Sequence, residues 1–322
     1  MAGVGARYER NPGFVPNTIN RGFPRKLSPA PATPILTLNS WDVDSGSGSL
    51  IVQLLLGGAA AGSAAWFSLR YAWWRPARDW RYPRVLMYHM VRDHRPGTRF
   101  NKLRVKPTEF ARQVQWLAAN EFTFVFASQL FSGEALPERC VCLTFDDGYE
   151  DNLLNADPVL AECAARATLY LVSDRNGGWS SKKKAHHADD ELASEPKLSD
   201  DQVRSLLDSR RWELGGHTTT HANLAALSDE DARQEISEAR ETFRDRFGVQ
   251  PATFAYPFGI YQPEHAAMAG ECGFTGAVTT EPGIAAWPYA NPLEVPRIKV
   301  SGNDGLLAFK LRIRGGRRGL QS

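Results

Sequence analysis

Between residues 84 and 300 short apolar runs alternate with amphipathic or polar stretches, and no other feature of the chain restricts its fold as much. The runs are "RVLMYHMV" (84–91), "CVCLTF" (140–145), "ATLYLVS" (167–173), "WELGGH" (212–217), "ATFAYPFG" (252–259), "TGAVTT" (275–280) and "VPRIKVS" (295–301). Each has the length and composition of a strand. The intervening stretches read as helices over 106–122, opened by Thr108, over 155–165, over 199–210 with Ser199 as cap, and near 263–272. A longer helix runs from Ser228 to Phe247 and is closed by Gly248. Seven or eight strands, each followed by a helix or loop, predict an α/β fold: a (β/α) barrel whose chemistry sits at the C-terminal ends of its strands. The polar stretch 174–197 interrupts the alternation and reads as a mobile rim loop. Its "KKKAHHADDE" reads as a solvated charge run, with His186 and His187 not assigned to a metal.

The 322 residues and 43% hydrophobic content allow a proper core. Lys and Arg number 38 against 36 Asp and Glu, so the net charge of +2 gives no basis for a nucleic-acid partner. The four cysteines form no C-x-x-C pair and read as small buried side chains. No charged residue occurs between Asp44 and Arg70, and residues 50–69, "LIVQLLLGGAAAGSAAWFSL", are long enough to cross a bilayer as a helix. Trp66, Tyr71, Trp73 and Trp74 cluster at its end as an interfacial belt. The chain therefore divides into a disordered tail (1–49), a membrane-spanning helix (50–69), an Arg- and Trp-rich linker (70–82), a catalytic domain (83–305) and a basic C-terminal tail (306–322).

In "CVCLTFDDG" strand alternation sends Val141, Leu143 and Phe145 to one face and brings Asp146 and Asp147 to the barrel mouth, where Gly148 permits a sharp turn. "GGHTTTH" supplies His217 and His221, whose four-residue spacing places two imidazoles on one side of a helical turn, with Gly215 and Gly216 permitting close approach. Two histidines and the Asp147 carboxylate would hold a divalent metal and leave positions open for water. Asp146, directed to the other face, is then free to take a proton from that water.

TFDDG, HxxxH and "FAYPFG", in this order, resemble the polysaccharide deacetylase family, the NodB-homology domain of carbohydrate esterase family 4. The resemblance covers roughly residues 83–300. It implies a distorted (β/α) barrel, a divalent metal, usually zinc, and hydrolysis of the N-acetyl group of an amino sugar in a glycan. It assigns Asp146 as general base, Asp147, His217 and His221 as metal ligands, and Pro257, Phe258 and Gly259 as a groove wall whose backbone N–H near Phe258 helps hold the oxyanion. The family pattern carries an arginine two residues before that proline, where this chain has Ala255; Arg297 in "VPRIKV" is the expected substitute. The general acid is expected at His89, because "VLMYHMV" resembles the permuted poly-N-acetylglucosamine deacetylases, which supply this histidine from an early strand. His94 and His265 are left as surface residues. An O-acetyl esterase of the same fold and a non-catalytic glycan-binding barrel are the alternatives. The expected setting is a membrane-anchored protein of the cell envelope, the arginines after the helix leaving the cytoplasmic face as the other option.

Overall fold

The computed structural model describes residues 45–175, 177, 179, 191–317 and 319. The expected disordered tail, apart from residues 45–49, lies outside the described residues, as do His186 and His187. The chain forms two compact units, Met1–Leu55 and Leu56–Ser322. Helix α1 (Ser45–Tyr71) extends the expected apolar segment at both ends. Its stretch Val52–Tyr71 is the one helix, among the described residues, long and apolar enough to cross a membrane, and none of the apolar window is buried.

Strand β1 (Arg84–Tyr88) is fully buried. It is followed by a small parallel ladder of β2 (Met90–Val91) and β3 (Arg104–Val105). Helix α2 (Pro107–Ala119) starts with Pro107 in its first turn and Lys106 at the cap. The proline already has helical φ and needs no N–H there, so Thr108 is not the cap the sequence suggested. After β4 (Thr123–Phe124), the long strand β5 (Cys140–Asp147) carries the paired aspartates at its end. A π-turn leads into α3 (Asp157–Glu162), followed by β6 (Ala167–Leu171), α4 (Asp200–Asp208) and β7 (Trp212–Gly216). Then come α5 (Asp229–Phe247), β8 (Thr253–Ala255), α6 (Pro263–Glu271), β9 (Gly276–Pro282), β10 (Val295–Lys299) and α7 (Leu306–Gly315). Capping follows the sequence signals in α4, where Ser199 and Gln202 form a reciprocal box, and in α5, which runs from Ser228 to a left-handed Gly248.

Seven parallel strands close on themselves in the order β1-β5-β6-β7-β8-β9-β10, because β1 pairs with β5 on one side (Leu86 beside Leu143) and β10 on the other (Leu86 beside Ile298). Strand β4 extends the start of β5. This is the (β/α) barrel of the NodB type. Val141, Leu143 and Phe145 face outward and pack with Phe110, Val114, Phe309 and Ile313 beneath the helices. Cys140 and Cys142 face inward with Val85, Tyr170, Val278 and Val295, filling the lower barrel. Gly215 is required by this packing: a Cβ there would lie 2.3 Å from the Tyr170 ring. Each large apolar side chain sealed in this way contributes about 1.5–3 kcal/mol.

Two expectations change. The segment from 306 is folded as α7, with Phe309 and Ile313 fully buried, and is not a solvated tail through residue 315. The i, i+4 spacing of these two residues makes one apolar face, which the basic residues between them obscured in the sequence. His265 is buried too, its ring accepting the Gln262 N–H at the start of α6.

Candidate active site

The paired aspartates sit where β5 ends, both buried, and diverge for a backbone reason. Asp146 is in extended conformation and points into the barrel. Asp147 adopts φ 79° and turns toward the loop after β7. That loop is not helical: His217 and His221 are joined through Thr218 at φ 62°, and His221 itself is at φ 61°. The four-residue spacing thus works through a left-handed loop and not through a helical turn. Phe258, at φ 59°, is a fourth such residue at the site. Each costs about 1–3 kcal/mol, which the surrounding packing must offset.

Asp147 Oδ1 lies 3.3 Å from His217 Nε2 and 3.2 Å from His221 Nε2. His217 Nδ1 is 2.7 Å from the Ala255 carbonyl, so that nitrogen carries the proton and Nε2 presents a lone pair toward Asp147. The three side chains are buried, with ligand atoms all within 4.8 Å of one another. An ion bonded at about 2.0–2.1 Å to two imidazole nitrogens and a carboxylate oxygen at tetrahedral angles holds those atoms about 3.3 Å apart, so the residues fit a zinc-type ion. Burial alone would raise the Asp147 carboxyl, but the two histidines outweigh it and hold it well below the ordinary value.

Asp146 is gripped by Arg297 from β10, Nη1 to Oδ1 and Nη2 to Oδ2, both at 2.7 Å. The guanidinium is completely buried and is fixed in turn by the Thr279 carbonyl (2.9 Å) and Thr144 Oγ1 (2.9 Å). The Thr144 hydroxyl donates to the Leu86 carbonyl at 2.7 Å, so a buried chain of contacts joins β1, β5, β9 and β10 behind the carboxylate. Burial again pushes Asp146 up, Arg297 more than compensates, and the group is held below its ordinary value and ionised at neutral pH.

His89, half-buried between β1 and β2, faces both carboxylates, Arg297 and His217; burial draws its pKa down while the carboxylates oppose that. Pro257, Phe258 and Gly259 form a tight turn after β8. The Phe258 ring lies 4.4 Å from that of His221, and Gly259, at φ 66°, is packed so closely that a Cβ would fall 1.9 Å from Thr280 Oγ1.

Asp146, Asp147, His217, His221, His89, Arg297 and Phe258 are thus brought to one mouth of the barrel. Sequence reasoning missed the group behind them. The Trp179 ring stacks on His221 at 5.5 Å and 14°, and the Lys197 ammonium sits 3.7 Å above Trp179 and 4.4 Å above Tyr149. Residues 196–198 are strapped to the aspartate turn by Glu150 N–H to the Pro196 carbonyl (2.9 Å) and Leu198 N–H to the Gly148 carbonyl (2.9 Å). The stretch read as a rim loop therefore supports the site at both of its described ends. The signal was Trp179, a lone large aromatic in a polar segment.

With this geometry in view, the comparisons with known proteins become informative. The polysaccharide deacetylase family model matches residues 133–277. A Bacillus subtilis (strain 168) protein named for the polysaccharide deacetylases, YxkH, is 30% identical over 219 residues, 67% of this chain and 70% of its own. The chain belongs to the polysaccharide deacetylase family. The poly-beta-1,6-N-acetyl-D-glucosamine N-deacetylase of Escherichia coli K12 is 26% identical over 264 residues, 71% of this chain, and the chain spans 38% of that protein. Among solved structures, BC0361, a polysaccharide deacetylase from Bacillus cereus, superposes with a TM-score of 0.61 over 72% of this chain and 69% of its own at 23% identity, a likeness of fold. The part matched by the deacetylase family model carries Asp146, Asp147, His217, His221 and the 257–259 turn. His89 and Arg297 lie outside it, His89 directly after β1 and Arg297 on β10, the two strands that close the barrel.

Proposed function

We propose that the protein is a metal-dependent N-deacetylase that hydrolyses the N-acetyl group of an amino sugar in an N-acetylated envelope or extracellular glycan. The observation that carries this reading is the division of labour at the end of β5: one aspartate faces two histidines, and its neighbour is held ionised by a buried arginine. A binding module needs no such second carboxylate.

Asp147, His217 and His221 would hold the ion, zinc being the best match to two imidazoles and one carboxylate. When bound, it would lower the pKa of water and polarise the acetyl carbonyl. Asp146 accepts the proton from the attacking water, and Arg297 keeps its carboxylate charged and oriented. The backbone N–H near Phe258 would help hold the developing oxyanion. His89, across from Asp146, delivers a proton to the departing amine. The apolar, exposed α1 would anchor the enzyme in a membrane of the cell envelope.

The test is acetate release by the full chain in detergent from N-acetylglucosamine oligomers, with chelator or with added zinc. Zinc-dependent acetate matched by an equal amount of free amine is expected. No acetate from the fully metallated protein would overturn the reading. The companion pair is Asp146→Asn, which should abolish turnover and keep its metal, and His217→Ala, which should lose both.

A further inference from the structure

The two ends of the folded unit meet at the base of the barrel. Arg84, fully buried at the start of β1, donates to the carbonyls of Arg78 (2.8 Å), Asp79 (2.6 Å) and Ile313 (3.1 Å), tying the linker to the C-terminal turn of α7. The Arg78 N–H donates to the Arg314 carbonyl at 2.9 Å, and Arg314 Nη1 donates to the Trp73 carbonyl at 2.7 Å. Arg75 reaches the Gly319 carbonyl and Arg317 the Pro282 carbonyl.

These contacts collect Arg75, Arg78, Arg314 and Arg317, with Arg70 just before them over the Tyr71 ring, and the hydrogen bonds described for the four side chains are to neutral carbonyls. None of the five enters an ion pair among the described residues. The nearby carboxylate Asp79 is already occupied by Arg81 at 2.8 Å. Beside them, Trp66, Trp73 and Trp74 are 61%, 52% and 47% exposed, clustered around the end of α1. Tryptophans beside arginines at the end of an apolar helix suit the headgroup layer, the tryptophans at its depth and the guanidiniums against phosphates.

We infer that this arginine and tryptophan face is a bilayer-docking surface that binds anionic phospholipid headgroups and sets the barrel upright on the membrane that α1 enters. It rests on the reading of α1 as a membrane span. The Arg139 N–H, at the foot of β5, donates to the Trp80 carbonyl of the linker at 3.3 Å. The eight steps from Arg139 to Asp147 span about 26 Å at ~3.3 Å per residue. The linker end of the docking face and the catalytic mouth are therefore at opposite ends of β5, and the mouth opens toward glycan held off the bilayer.

The experiment reconstitutes the full chain in phosphatidylcholine nanodiscs with and without phosphatidylglycerol and reads amide hydrogen exchange, which requires no deacetylase activity. Amides of 72–82 and 312–317 should exchange at least about tenfold more slowly in the anionic discs. An Arg75→Gln, Arg317→Gln double variant should lose most of that protection, with the amides of β5 unchanged as the control for folding. Equal exchange in the two lipids overturns the docking face while leaving the span intact. Extraction of the chain from vesicles by alkaline carbonate overturns the span, and the docking geometry with it.

Discussion

At the residue scale, Arg297 and Asp146 form a fork-to-carboxylate pair in which geometry matters as much as charge. A lysine at 297 would preserve the charge but present one ammonium in place of two parallel N–H bonds. Arg297→Lys should therefore keep metal stoichiometry by elemental analysis and lower kcat by on the order of 10²-fold, the usual effect of slightly misplacing a reacting group. Unchanged kcat would remove Arg297 from its positioning role. Asp151 offers a separate test in the same neighbourhood. It accepts the Val91 N–H at 2.9 Å, its other oxygen has no hydrogen-bond donor, and burial pushes it up to about 6. A raised carboxyl contributes stability that is complete below the unfolded value and is lost as pH rises through about 6. Asp151→Asn should thus compare more favourably with the parent at pH 8 than at pH 4, by roughly 1–3 kcal/mol in urea unfolding with chelator present. A difference independent of pH would refute this account of Asp151.

At the element scale, the turn after β8 depends on a residue with no side chain. Gly259 combines positive φ with the 1.9 Å clash that any Cβ would make with Thr280. Gly259→Ala should shift the turn, and with it the Phe258 N–H, lowering kcat at least tenfold with the circular dichroism of the barrel retained; normal kcat would take the turn out of the reaction. Elements were largely legible in the sequence because local chemistry decided them: alternation in β5, the Ser199 box in α4, the Ser228 and Gly248 ends of α5. What was not legible depends on partners distant in sequence. The left-handed loop carrying His217 and His221 has no turn signature in "HTTTH", because three threonines favour extended backbone and the packing of the site overrides them. The support of His221 by Trp179 likewise joins residues more than forty positions apart.

At the scale of the whole molecule, the closing strands and α7 hold the barrel together from its C-terminal end. Phe309 is fully buried and meets Trp116 of α2 edge-on at 6.2 Å. Phe309→Ala should destabilise the protein by about 3–5 kcal/mol, whereas Leu307→Ala, at a side chain 53% exposed, should be near neutral in the same denaturant titration. Equal effects would mean that α7 does not belong to the core. The seven strands of the ring followed from the sequence pattern, which did not show β3 or β4 or the break at His89 between β1 and β2, while the pairing that makes a ring, β1 with both β5 and β10, has no local signal at all.

The position of Arg297 has a consequence in time. A chain growing on the ribosome makes Asp146, Asp147, His217 and His221 first and the guanidinium that grips Asp146 some 75 residues after the last of them. Until β10 slides between β9 and β1, a nascent or truncated chain carries Asp147, His217 and His221 with the Asp146 carboxylate unaligned. On the proposed roles, the base stays unaligned until β10 is in place, so the act that seals the barrel would also be the act that arms it.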